Sequence, residues 1–201
     1  MRVSELKQLI QGDVVVLYGR PFVGKSVLAL MLSRHFKESH LLLLDANYTK
    51  EYFRINPDLK VHYIKMSRGP RDVYSQVVEA LRGVQRDLET LVIIDSLTTL
   101  QAAVLGPRVS PYDNLLYARL VDSLMLRLRW LKPATSLVIA HEKLLSFEAQ
   151  ELVPRMNMVV LRHVDKVVHL VEEGGKRRIE VRLARELAPD KLQEDYEVGT
   201  R

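Results

Sequence analysis

The residues best suited to chemistry in this chain form one block of eight, GRPFVGKS, at positions 19–26. They fill every fixed position of the pattern G-x-x-x-x-G-K-[ST], the P-loop, in which successive main-chain amides surround phosphate oxygens. Gly19 and Gly24 let the backbone bend inward, and a side chain at either would crowd the ligand. Lys25 sets a compact positive charge beside the outer phosphates of a nucleotide. The Ser26 hydroxyl suits a hard Mg²⁺ that keeps most of its waters. The candidate binding residues are therefore Gly19, Arg20, Pro21, Phe22, Val23, Gly24, Lys25, Ser26 and the adjoining Val27, with Lys25 also the candidate catalytic cation.

Such a loop must lie between a buried strand and the start of a helix, whose positive end completes the anion site. The apolar run at 14–18 and the helix-like segment at 27–36 supply both flanks. A second strand is needed to bring a carboxylate to the same edge of the sheet. Residues 91–95, LVIID, are an unbroken apolar run ending in Asp95, the pattern that holds the Mg²⁺ shell in phosphoryl-transfer sites. Ser26 and Asp95 are the candidate metal ligands. Residues 136–143, SLVIAHEK, read as a further strand whose polar tail, His141-Glu142-Lys143, emerges beside Asp95.

The remaining segments frame these three strands. Residues 1–11 read as a short amphipathic helix, with Val3, Leu6 and Leu9 or Ile10 on one side. Residues 41–45 (LLLLD) and 61–66 read as buried strands, and 67–70 as a break. Asp72 is predicted to cap a helix running to about Leu88, with Val73, Val77, Ala80, Leu81 and Val84 at helical spacing. A loop at 106–111 precedes a long helix at 113–131, with Leu116, Leu120, Leu124 and Leu131 as its core stripe and Pro133 as its stop. Trp130 is expected to pack in the core or at an interface. Residues 144–158 lack a period and read as a second long loop. Strand-like runs at 165–171 and 176–183, joined by EEGG, read as a hairpin, and the tail from Pro189 as peripheral. The pattern predicts one α/β domain over 1–201, with a mostly parallel twisted sheet, helices on both faces and a C-terminal β-hairpin.

Composition narrows the class. The chain has no cysteine, which excludes disulfides, thiolate nucleophiles and Cys-ligated metal. No apolar run approaches the roughly 20 residues of a membrane span, and residues 1–10 lack the apolar core of a signal peptide, so a cytoplasmic protein without membrane contact is expected. A formal charge of +5 fits a protein that meets polyanions, and equally one with solvated basic faces. His35, His40, His62, His163 and His169 show no metal-ligand spacing and read as packing or surface residues. No Ser-His-Asp or G-x-S-x-G arrangement is present, so phosphate chemistry is the one site the residues support.

The order of GRPFVGKS, a strand ending DAN, LVIIDS followed by LTTL, a long helix, a further strand and a basic hairpin resembles the ATPase core of the RecA/RadA recombinases, over about 6–187. It is most similar to the archaeal RadA paralogues, which consist of that core alone. The resemblance implies a RecA-like P-loop fold and a site for ATP with Mg²⁺. In that family the strand like 41–45 continues Asp-Thr-Glu, the Glu activating the attacking water; here Asn47 stands at the matching position. An amide orients a water but accepts no proton at neutral pH, so slow hydrolysis is expected unless Glu51 or Glu142 supplies the carboxylate. Where the family has Asn-Gln as its γ-phosphate sensor, this chain has His141-Glu142. Glu142 is then a candidate for polarising the water; the alternative is a surface pair without a role.

The loops at 106–111 and 144–158 match in order the family's DNA-contacting loops, although their charges, Arg108, Lys143 and Arg155 against Glu148 and Glu151, are modest. In related filaments and rings, basic residues of the late hairpin reach the nucleotide of a neighbouring subunit. The resemblance thus implies an accessory ATPase of homologous recombination or DNA repair that meets single-stranded DNA or a RadA-type recombinase, with self-association open. The family's N-terminal helical domain and polymerisation linker have no counterpart here, so autonomous filaments are not expected. Two other readings remain: an ATP-gated regulator without turnover, and another RecA-like branch, KaiC-like or helicase-like.

Overall fold

Strands β1 (Val14–Gly19) and, later in the chain, β4 (Thr90–Asp95) are buried along their whole length. A strand covered on both faces needs an apolar run without alternation, and VVVLY and LVII are such runs. Around them the computed structural model, described here for residues 1–44, 50–65, 70–105, 111–146, 151–156 and 158–187, forms an α/β fold with a mostly parallel mixed sheet. With β2 at Glu38–Leu43, β3 at Lys60–Tyr63, β5 at Thr135–Ser146, β7 at Lys166–Glu173 and β8 at Lys176–Leu183, the order across the sheet is β3-β2-β4-β5-β1-β7-β8. Neighbours from β3 to β7 run parallel, while β8 returns antiparallel on β7 through Gly174-Gly175, giving the predicted hairpin. Strand β6 (Glu151–Pro154) lies off this path, antiparallel to the far end of β5.

Side chains alternate between two cores. Val15 and Leu17 face α1 (Val3–Ile10) and α2 (Lys25–Ser33), meeting Leu6, Ile10, Leu28 and Leu32. A short α3 (Lys50–Phe53) adds Tyr52 and Phe53 to that side. Val14, Val16 and Tyr18 face α4 (Pro70–Arg82), α5 (Leu97–Leu105) and α6 (Pro111–Trp130), meeting Val73, Val77, Leu100, Val121 and Leu124. Helices thus cover both faces, and the carboxyl ends of β1 and β4 open at one edge. Ligands bind outside such ends in open α/β sheets. Among the described residues no helix is long and apolar enough to cross a membrane.

Several expectations need correction. Asp72 lies in the first turn of α4, not at its cap, and its carboxylate accepts a hydrogen bond from Gln76 Nε2 at 2.8 Å. The helix stops at Arg82, before Gly83, because Asp87 forms a local turn instead, accepting from the Glu89 amide at 2.8 Å and the Thr90 hydroxyl at 3.2 Å. The core stripe of α6 is rotated. Tyr117, Val121, Leu124, Met125 and Leu128 are buried, whereas Leu120 and Leu131 are only partly so and Leu116 is half-buried. The helix is apolar on more than one side, so spacing alone fits two faces. Trp130 is 61% exposed and is not core. Residues 144–158 are not all loop: β5 continues to Ser146 and pairs with β6, with Leu144 opposite Leu152 and Val153 wholly buried. Helix α5 went unread in the sequence. The loop at 106–110, the segment at 147–150 and the tail from 188 lie outside the described residues.

Candidate phosphate-binding site

At the end of β1 the chain passes within contact of β7, where a Cβ on Gly19 would collide with the carbonyl oxygen of Leu170. Five residues on, Gly24 has φ +102° and sits at the N-cap of α2 without offering that helix a side-chain cap. A Cβ there would be strained and would come within 3.1 Å of Arg177 Nη1 on β8. The first-turn amides of α2 and the positive end of its dipole therefore face outward from a glycine, which is how a helix start receives an anion. Between the glycines, Phe22 holds φ +63° and is wholly exposed. A bulky residue rarely takes that conformation, and such strain gathers at ligand clamps.

Lys25 is buried, 6% exposed. Its Nζ donates to the carbonyl oxygens of Gly19 (3.0 Å) and Arg20 (2.6 Å), so the ammonium is held inside the curve of its own loop. Burial pushes its pKa below the ordinary 10.5, against the opposing pull of the Asp95 and Glu142 carboxylates. The Ser26 hydroxyl donates to Asp95 Oδ2 at 2.6 Å, and Asp95, at the tip of β4, is buried. A cleft of about 500 Å³ opens here, lined by Pro21, Phe22, Gly24, Lys25, Ser26 and Val27 of the loop and by Tyr52, Asp95, Ser96, Ile139 and His141. The structure thus brings Lys25, Ser26 and Asp95 together at one mouth, as the sequence predicts.

Two hard oxygens this close fit a small divalent cation that takes one or two protein ligands and completes its shell with water and phosphate. Among the described residues no group of three His, Asp or Glu side chains forms a cage for a metal on its own. The oxygen pair of Ser26 and Asp95 therefore fits Mg²⁺ bound together with a polyphosphate.

Glu142 does not line the cleft beside His141. Its Oε1 accepts from Arg20 Nε at 3.2 Å and its Oε2 lies 3.0 Å from His169 Nε2, with the side chain 10% exposed. The His169 ring in turn stacks on Tyr18, centroids 4.3 Å apart and planes within 2°. One carboxylate on β5 is thereby tied to the second residue of the loop and, past β1, to β7. The His141 amide donates to Thr98 Oγ1 at 3.0 Å, which fastens the same strand end to α5. Asn47 lies outside the described residues, and the side chain of Glu51, in α3, is likewise not described.

Tyr52, Ser96, His169 and Arg177 join the site without having been singled out for it in the sequence. Arg177 was visible only as one cation in a basic hairpin. His169 had no signal, because its place beside Glu142 follows from the strand order. Comparison with protein-family models gives no match, and comparison with curated protein sequences gives none either.

Proposed function

We propose that this protein is a RecA-like P-loop ATPase that binds ATP with Mg²⁺ and hydrolyses it slowly. The resemblance to the RadA paralogues extends the proposal to an accessory part in homologous recombination or DNA repair, through single-stranded DNA or a RadA-type recombinase. One observation carries the nucleotide reading. A buried ammonium, a serine hydroxyl and a buried carboxylate meet in a cleft of about 500 Å³ at the glycine-led start of a helix. A cleft of that size suits a nucleotide-sized ligand.

In this reading the α2 amides and Lys25 grip the phosphates, and Ser26 and Asp95 hold the cation. When bound, Mg²⁺ neutralises charge on the phosphate oxygens. Glu142, committed to Arg20 and His169, acts by fixing the loop rather than by taking a proton from water. An amide at Asn47 can orient a water but cannot take its proton, so slow turnover is expected. The +5 formal charge is compatible with a polyanionic partner without requiring one.

Titration calorimetry with Mg·ATP tests this reading. One site per chain is expected, with Lys25→Ala weakening it about 10- to 100-fold, the worth of charge-assisted hydrogen bonds at a phosphate. Absence of binding, or equal binding by the variant, would overturn the proposal.

A further inference from the structure

Helix α6 carries a second apolar face that nothing in the described chain covers. Its inner side packs against the sheet through Tyr117, Val121, Leu124 and Leu128. One flank meets α4, where Arg127 Nε donates to the Tyr74 hydroxyl at 2.6 Å. The other meets the 3-10 segment Met158–His163, where Asp122 accepts from Arg162 at 3.0 Å and lies 3.0 Å from His163 Nε2. Outward from these stand Tyr112 (71% exposed), Leu115 (49%), Leu126 (36%) and Trp130 (61%), with exposed Arg119 and part-exposed Asp122 between them. Steps of three and four residues put these six on one stripe of the helix. Eighteen steps of about 1.5 Å from Tyr112 to Trp130 make the stripe about 27 Å long.

The stripe reads alike from either end: aromatic, aliphatic, charge, then charge, aliphatic, aromatic. The two central charges have opposite sign. We infer that α6 pairs with α6 of a second copy of this chain, antiparallel about a two-fold axis. Tyr112 then meets the Trp130 position of the other copy, Leu115 meets Leu126, and Arg119 meets Asp122. An isologous interface demands this self-complementarity. A parallel pairing would set Arg119 against itself and Asp122 against itself, which the charges oppose. Asp122 already serves Arg162 and His163, but a carboxylate has about four acceptor positions, so it can take Arg119 of the second copy as well. One helix face buries less than the roughly 1,200 Å² of a standard stable interface, so the dimer is weak and concentration-dependent. The inference does not rest on nucleotide binding.

The absence of cysteine makes the geometry directly measurable. Sedimentation of the full chain across the micromolar range is expected to show a monomer–dimer equilibrium. Leu126→Lys and, separately, Trp130→Ala should abolish it with the melting temperature unchanged, since both side chains are on the outer face. Under a mild oxidant, Leu115→Cys mixed with Leu126→Cys should give a disulfide-linked dimer of one of each. Either variant alone should stay monomeric under denaturing conditions, because eleven residues, about 16 Å, separate the two positions along the helix and a disulfide needs Cα atoms within about 7 Å. A monomer at every concentration, a dimer indifferent to Leu126→Lys, or self-linking by the single cysteine variants would each overturn the inference.

Discussion

Glu38, His40, Lys60 and His62 make a polar cluster on β2 and β3, while Lys25, Ser26 and Asp95 make another where β1 and β4 end. In the first, His40 Nε2 lies 2.6 Å from Glu38 Oε1, Lys60 Nζ lies 2.8 Å from the same oxygen, and His40 Nδ1 lies 3.1 Å from His62 Nε2. Both clusters border a hollow, about 560 Å³ beside His40 and His62 and about 500 Å³ beside Lys25. Burial, charge and a cavity therefore do not tell them apart. The difference lies in the backbone and in the sign of the neighbours. Around Lys25 are a glycine at positive φ, a strained phenylalanine and an uncapped helix start; among the described residues none of these accompanies the histidines. Burial disfavours the cation in both places, but the carboxylates near Lys25 oppose that effect. Next to His62, His40 and Lys60 reinforce it. One cluster keeps a charge against burial, as a site for an anion must, and the other keeps an imidazole neutral, as a packed edge does.

The sharpest test of this contrast is at position 47. If the loop cluster is a phosphoryl-transfer site lacking only its base, Asn47→Glu should raise single-turnover hydrolysis by about 10²- to 10⁴-fold, while His62→Gln leaves the rate alone. An unaltered rate would favour an ATP-gated binding protein. A smaller effect is expected in stability. The His62 pKa is held below 6.5, so as pH falls the unfolded chain takes up that proton first. The stability present above pH 6.5 is lost as pH falls through the folded value. Glu38, held below its usual 4.5 by hydrogen bonds from Lys60 and His40, adds a further loss in more acid solution. The melting temperature should therefore decline as pH falls below about 6.5, less steeply in His62→Gln, and a flat profile would contradict the account. The smallest signal is a proton count. Phosphates near Lys25 raise the pKa that burial lowers, so Mg·ATP binding should take up protons at alkaline pH below 10.5, seen as a buffer-dependent calorimetric heat. Equal heats in buffers of different ionisation enthalpy at alkaline pH would argue against it.

The loop cluster was legible because its backbone chemistry is spelled in consecutive residues. GRPFVGKS names the turn, the cation and the hydroxyl together, and LVIID names a buried strand and the carboxylate at its tip. What was not legible depends on elements meeting across the sheet. Glu142, His169 and Arg20 belong to β5, β7 and the loop after β1, and only the order β5-β1-β7 brings them together. The α6 core stripe was misplaced for a different reason. A helix with leucines on several sides satisfies two amphipathic patterns, and packing against α4 and α5 decides which one turns inward. Pairing of β5 with β6 was missed because the residues between Leu144 and Leu152 carry no Asn-Gly or Gly-Gly signature in the sequence.

The guanidinium resting over Gly24 joins two parts of the protein that a geneticist would score separately. A side chain at 24 would be strained by the positive φ and would press on the Arg177 guanidinium, which must give way slightly, so a lesion in the loop is felt at the hairpin. A displaced hairpin, in turn, takes the Arg177 guanidinium away from Gly24. If the loop binds a nucleotide as proposed, damage to β8 and damage to the loop would share one phenotype in a screen for lost affinity, and rescue by resizing the side chain at 177 would sort them.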